Sequence, residues 1–135
     1  MRWFGRDKPR EVWDEEINWP IGDIEAADRI RRICRSAADS AEIVGRFAQV
    51  TGGKEKRSET RRKKSEAERY ERAAKTAMEI ALKVSDDLMR DAAVGEIVDL
   101  CLKADDLTTA RILYRAIQAE TIRQLVLTNH PALRQ

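Results

Sequence analysis

Apolar residues along most of this chain return in steps of three and four, the spacing of one face of an α-helix. A first run is Ile24, Ala27, Ile30, Cys34, Ala37, Ala41, Val44 and Ala48, with Ile33 and Phe47 widening the face. Asp23 stands where an N-cap belongs. Glu25 and Asp28 suit the positive N-terminal end of the helix, and Thr51-Gly52-Gly53 supplies a stop. A second run is Ala67, Tyr70, Ala74, Ala77, Ala81, Val84 and Leu88. The pairs Glu68/Arg72, Glu71/Lys75 and Glu79/Lys83, four residues apart, support it. The pattern then predicts a kink or restart within Ser85–Gly95 and a short third helix with Val94, Ile97, Val98 and Cys101. Asp105-Asp106-Leu107 reads as a tight turn with Asp106 as N-cap. One last helix carries Ala110, Leu113, Tyr114, Ile117, Thr121, Ile122 and Leu125 before Asn129-His130-Pro131 ends it.

Two stretches depart from this pattern. Residues 54–64, KEKRSETRRKK, contain no apolar residue. They are either the exposed first turns of a long second helix, or a loop or frayed segment before the capping box Ser65-x-x-Glu68. A loop or a frayed helix is the expectation, because nothing there can be buried. Residues 1–22 hold all three tryptophans, Phe4 and two of the three prolines, and read as an irregular arm with one helical turn near Val12–Ile17.

The first two helical faces are rich in alanine, and small seam residues let helix axes approach to about 8 Å. The expected fold is therefore all-α, a three- to four-helix bundle built on a long antiparallel Ala-rich hairpin. A Trp-rich arm (1–22) would precede a single helical domain (23–135). A hairpin so narrow encloses no core of its own. Later helices, or a second copy of the chain, must cover it.

Charge adds a local feature. The chain of 135 residues carries 26 Lys/Arg and 24 Asp/Glu, close to balance, but residues 54–64 have seven Lys/Arg against two Glu. Cys34 and Cys101 stand alone, so a disulfide framework is not expected and a reducing, cytoplasmic setting is. No apolar run reaches the ~20 residues that span a bilayer, and MRWFGRDKPR lacks the apolar segment of a secretory signal.

These features define two candidate contact regions. The first is a partner-binding set of Trp3, Phe4, Trp13 and Trp19 in the arm with Leu113, Tyr114 and Ile117 on the last helix. Exposed tryptophan marks binding hot spots. The arm can equally fold back on its own helices, and Trp3-Phe4 between Arg2 and Arg6 also suits a membrane interface. The second is the basic set Lys54, Lys56, Arg57, Arg61, Arg62, Lys63 and Lys64, which would contact nucleic-acid phosphates without reading sequence. No aromatic residue interleaves those charges, so base stacking is not supported by the sequence.

Enzymatic chemistry needs reactive groups brought together, and little here does so. His130 is the only histidine and reads as a solvated residue near the C-terminus. The cysteines fall on apolar faces, and Gly52-Gly53 is not followed by a phosphate-loop sequence. The pairs Glu68-x-x-Glu71 and Glu96-x-x-Asp99 lie on two helical segments and resemble those of the all-α nucleotide pyrophosphohydrolases. That resemblance implies a Mg²⁺ site and nucleotide hydrolysis, but Ala67 stands where the family has a doubled Glu. Residues 94–123 resemble one tetratricopeptide-type hairpin, with Val98 where the repeat has a small residue, and are taken as geometry rather than membership. The same segment, as a DNA-binding motif, would offer Arg111 and Arg115. The expected function is non-catalytic: a helical interaction, adaptor or assembly protein that self-associates and binds a protein partner, with no cofactor and no metal. A nucleic-acid-associated protein is the alternative, and the pyrophosphohydrolase-like enzyme the third.

Overall fold

The computed structural model describes residues 10–49 and 57–134, and among them there are five α-helices and no strand. Helix α1 spans Asp23–Gln49 and α2 spans Arg57–Ala81. They run antiparallel. Asp23, at the start of α1, accepts hydrogen bonds from the backbone N–H groups of Ser85 and Asp86 just beyond α2, both at 2.9 Å. Midway along, Ser40 donates to Glu66 at 2.7 Å. The Ala-seamed hairpin expected from the sequence is therefore the backbone of the fold.

Its expected faces hold at their centres, with Ile30, Ile33, Ala37 and Ala41 buried on α1 and Tyr70, Ala77 and Ala81 on α2, and differ at their ends and in width. On α1 the buried positions are Ala26, Ile30, Ile33, Ala37, Ser40, Ala41 and Gly45, while Ile24 and Ala48 are exposed. On α2 they are Tyr70, Ala73, Ala77, Ile80 and Ala81, followed by Val84, while Leu88 is exposed. The cause is that α1 packs against both α2 and α3, so its buried arc is centred between two neighbours. A single three-four stripe marks only part of such an arc.

Helix α3, Asp87–Lys103, starts seven residues before the first apolar position expected of it. Asp86 caps it, accepting from the Met89 N–H at 2.9 Å. Its buried residues, among them Ala93, Val94, Ile97, Val98, Leu100 and Cys101, lie around most of its circumference. That is the mark of a helix covered on several sides. It closes the core over the hairpin. Near its C-terminus the chain passes very close to α1, because a Cβ on Gly45 would lie 2.2 Å from the Lys103 carbonyl oxygen.

The single last helix expected from the sequence is two: α4, Leu107–Ala116, and α5, Glu120–Asn129. Asp106 caps α4 as expected, accepting from Thr109 N–H at 3.2 Å, and Asp105 takes the left-handed turn conformation. The break at Ile117–Ala119 is held by Asp91 on α3, 2 % exposed. Its carboxylate accepts the N–H groups of Gln118 and Ala119 at 3.1 and 2.9 Å. A buried carboxylate that pairs two backbone donors of the non-helical break offsets the helical bonds given up there, which favours a restart over a continuous helix. The described residues close with a 3-10 turn, Pro131–Arg134, in which Leu133 is buried.

The basic stretch is corrected as well. Residues 57–64 form the first turns of α2 rather than a loop, and every one of them is exposed. Exposed turns of Arg and Lys need no burial to be helical, since both residues have good helix propensity and α2 is anchored further on. Lys54 and Lys56 lie outside the described residues.

Candidate functional site

The described part of the arm is fastened to the hairpin by arginines, Arg69 and Arg72 of α2 and Arg29 and Arg32 of α1. Glu11 precedes the single 3-10 turn of the arm, Val12–Asp14. Its two carboxylate oxygens accept from Arg69 Nε and Nη2 at 2.7 and 3.1 Å, a forked ion pair. The same guanidinium donates to the Ser40 hydroxyl at 2.7 Å and to Glu66 at 3.3 Å, and it lies 5.4 Å from the centre of the Trp13 ring. The bond to Glu11 raises the Arg69 pKa further. Arg72 pairs with Asp14. Beneath this clamp Trp13 is buried, and Val12, Ile17 and Ile21 pack on the core.

Trp13 is thus part of the chain's own interior, where it supplies bulk that the alanine seams lack. Leu113 and Ile117 are also in the core, Ile117 at 1 % exposure because it sits at the α4–α5 break. The surface expected from Leu113, Tyr114 and Ile117 together is therefore not presented. Tyr114 is half-buried, with the Arg123 guanidinium 5.5 Å from its ring centre, and Ile112 and Leu125 are the exposed apolar residues of these helices. Trp3 and Phe4 lie outside the described residues.

A different apolar surface forms at the end of the hairpin where α1 begins and α2 hands over to α3. Trp19, Ile24, Leu82 and Leu88 are all exposed there, Ile24 at 80 %. Two contacts bring them to the same end. The Asp23 carboxylate ties the start of α1 to Ser85 and Asp86, and the Lys83 ammonium sits 5.9 Å from the Trp19 ring centre. Of the four, only Trp19 was legible as a contact residue. Ile24 and Leu88 continue helical apolar runs and read as core. Each lies in the first turn of its helix, beyond the chain that could cover it, and that is the signal the sequence does carry.

The basic candidates Arg57, Arg61, Arg62, Lys63 and Lys64 occupy the opposite end of the hairpin, exposed on the first turns of α2. The structure adds what the sequence lacked, an aromatic residue beside them. Ile43 and Phe47 of α1, both half-buried, line with Arg46 and Arg62 an open concavity of about 160 Å³.

The groups with chemical potential are dispersed. Glu68 borders a crevice of about 250 Å³ under the arm with Arg10, Trp13 and Arg72, whereas Glu71 faces Tyr70, Lys75 and Asp106. Glu96 pairs with Arg31 at 3.5 Å, and Asp99 with His130 Nε2 at 2.5 Å. Among the described residues no group of three or more His, Cys, Asp or Glu is placed to hold a metal. The structure thus separates the two carboxylate pairs that suggested a Mg²⁺ site, and His130 is a paired, half-buried residue rather than a solvated one. Burial pushes the Cys34 thiol up to about 12 and the Cys101 thiol up to about 11. Both are therefore protonated and poor nucleophiles near neutrality. Burial, with bonds to Cys101 and Asp106, also raises the Tyr70 phenol, whose hydroxyl donates to Asp106 at 2.8 Å. None of the described helices is long and apolar enough to cross a membrane. No family model, curated protein or solved structure matches the chain.

Proposed function

We propose that this chain is a non-catalytic helical assembly protein that self-associates through the apolar end of its hairpin. The observation that supports this reading is that Trp19, Ile24, Leu82 and Leu88, four of the six large exposed apolar residues, lie at the same end of the hairpin. Single exposed apolar residues are ordinary on a surface, and it is their concentration at one end that favours a contact region there. Burying an aliphatic side chain of this kind is worth roughly 1.5–3 kcal/mol when complete. Three such side chains with the Trp19 ring give roughly 6–12 kcal/mol, which exceeds an association cost of about 4 kcal/mol by enough for weak, reversible self-association.

Sedimentation of the full chain over a concentration series tests the reading. Reversible growth in mass is expected on the order of 100 µM, and Ile24→Ser with Leu88→Ser should abolish it while the helical circular dichroism is kept. A wild-type chain that stays monomeric at every concentration would remove the proposal.

A second reading has one specific observation behind it, the Phe47 ring beside Arg46 and Arg62 next to the exposed cations of α2. Cationic grooves with an aromatic platform bind single-stranded nucleic acid, with affinity that falls as salt rises. Titration of a labelled oligonucleotide at low salt checks it, and absence of binding there would dismiss it.

A further inference from the structure

The two ends of the hairpin carry opposite surfaces. At the apolar end, residues 15–32 and 79–90 hold eight Asp/Glu against five Lys/Arg. At the other end, residues 42–49 and 57–64 hold six Lys/Arg against two Glu. Helix α1 has 27 residues, and at 1.5 Å per residue it sets the ends about 40 Å apart. That is several Debye lengths at physiological ionic strength, so the two ends do not neutralise one another within one chain.

We infer that the acidic, apolar end of one chain seats on the basic end of a second copy, so that chains associate head to tail. This rests on the self-association reading above and names the surface that the apolar end meets. Two observations favour the opposite end over an identical one as the occupant. Charge is the first. Head to head would set an acidic rim against an acidic rim, whereas head to tail sets acid against base. Shape is the second. The apolar end projects side chains, with Ile24 80 % exposed, and the basic end offers a hollow. That hollow measures about 160 Å³ and is walled by Ile43 and Phe47 between Arg46 and Arg62. A cavity of roughly 150 Å³ takes a benzene-sized apolar group, so one projecting Ile, Leu or Trp side chain fills it. Such a contact is heterologous. Each addition leaves one end of each kind free, so the chains grow into filaments or close into a ring.

A mixing experiment with the full-length chain tests this. A head variant carries Ile24→Ser and Leu88→Ser, and a tail variant carries Arg57→Glu, Arg61→Glu and Arg62→Glu. All five positions are exposed, and acidic residues suit the first turns of α2, so both variants should keep wild-type circular dichroism. The wild type is expected to grow beyond a dimer with concentration in the ultracentrifuge. Each variant alone should associate at least about 30-fold more weakly, the loss expected from two exposed aliphatic side chains or a reversed charge cluster. An equimolar mixture, which restores one live head and one live tail, should form a one-to-one dimer and nothing larger. A tail variant that assembles like wild type would mean that heads meet heads. A head variant that does so, or a mixture that stays monomeric while wild type assembles, would equally overturn the inference. The tail-variant and mixture results leave self-association through the apolar end standing, whereas a head variant that assembles like wild type removes that reading as well. A wild type that never associates removes both.

Discussion

Gly45 and Gly95 are both helical glycines, and helix propensity alone makes the same forecast for each. Replacement by alanine should stabilise by about 1 kcal/mol. The structure separates them. A Cβ on Gly95 would meet Val126 Cγ2 at 3.5 Å and Ile122 Cγ2 at 3.9 Å, ordinary contact distances, so Gly95→Ala should keep the propensity gain. A Cβ on Gly45 would lie 2.2 Å from the Lys103 carbonyl oxygen and 3.3 Å from its carbon. Those are backbone atoms at the end of α3, and no rotamer change moves them. To reach an ordinary contact the two helices must part by roughly 1 Å, which loosens the packing of a close-packed interior. Overpacking of this kind costs about 1–3 kcal/mol or more. After the propensity gain, Gly45→Ala should lose on the order of 1–2 kcal/mol. For a chain of this size that lowers Tm by about 3–10 °C, with Gly95→Ala moving the other way by a few degrees. Thermal and urea unfolding of the two variants beside wild type give both numbers. A Gly45→Ala protein as stable as Gly95→Ala would refute the close approach of α1 to the end of α3.

Other consequences follow from single polar contacts. Asp91→Ala should destabilise by about 2–4 kcal/mol, because the two N–H donors of Gln118 and Ala119 in the α4–α5 break lose a charged acceptor. Amide exchange in α5 should rise most, and a loss under about 1 kcal/mol would show that the carboxylate does not hold the break. The backbone donors of Ser85 and Asp86 lower the Asp23 pKa from 3.8. The stabilisation by Asp23 is then complete above about pH 4 and is lost as pH falls through the depressed folded value. Wild type should therefore exceed Asp23→Asn in Tm at neutral pH and converge with it in acid. A gap independent of pH would contradict that linkage. Cys34 and Cys101 should react slowly with a thiol reagent near pH 8 in the native state and at full rate in denaturant. Rapid native modification of either would show that its burial is incomplete.

The all-α class, the course of α1, the helical middle of α2, the Asp106 cap and the close packing of the first two helices were all legible in the sequence. Helical spacing, cap residues and alanine content are local properties, so they can be read without knowing what lies opposite. What surrounds each helix is not local, and the tertiary structure alone decided it. Ile24 and Leu88 read as core and are exposed because none of the described elements covers their side chains in the first turns of their helices. From α3, Asp91 holds the break between α4 and α5 through Gln118, 27 residues away, a contact that no periodicity reveals. The basic turns of α2 read as a loop or a frayed helix because nothing there is buried, while a helix anchored further along needs no burial at that point. Phe47 stands beside those cations only because α1 and α2 run antiparallel, and Trp13 belongs to the interior only because Glu11 meets Arg69 across 58 residues.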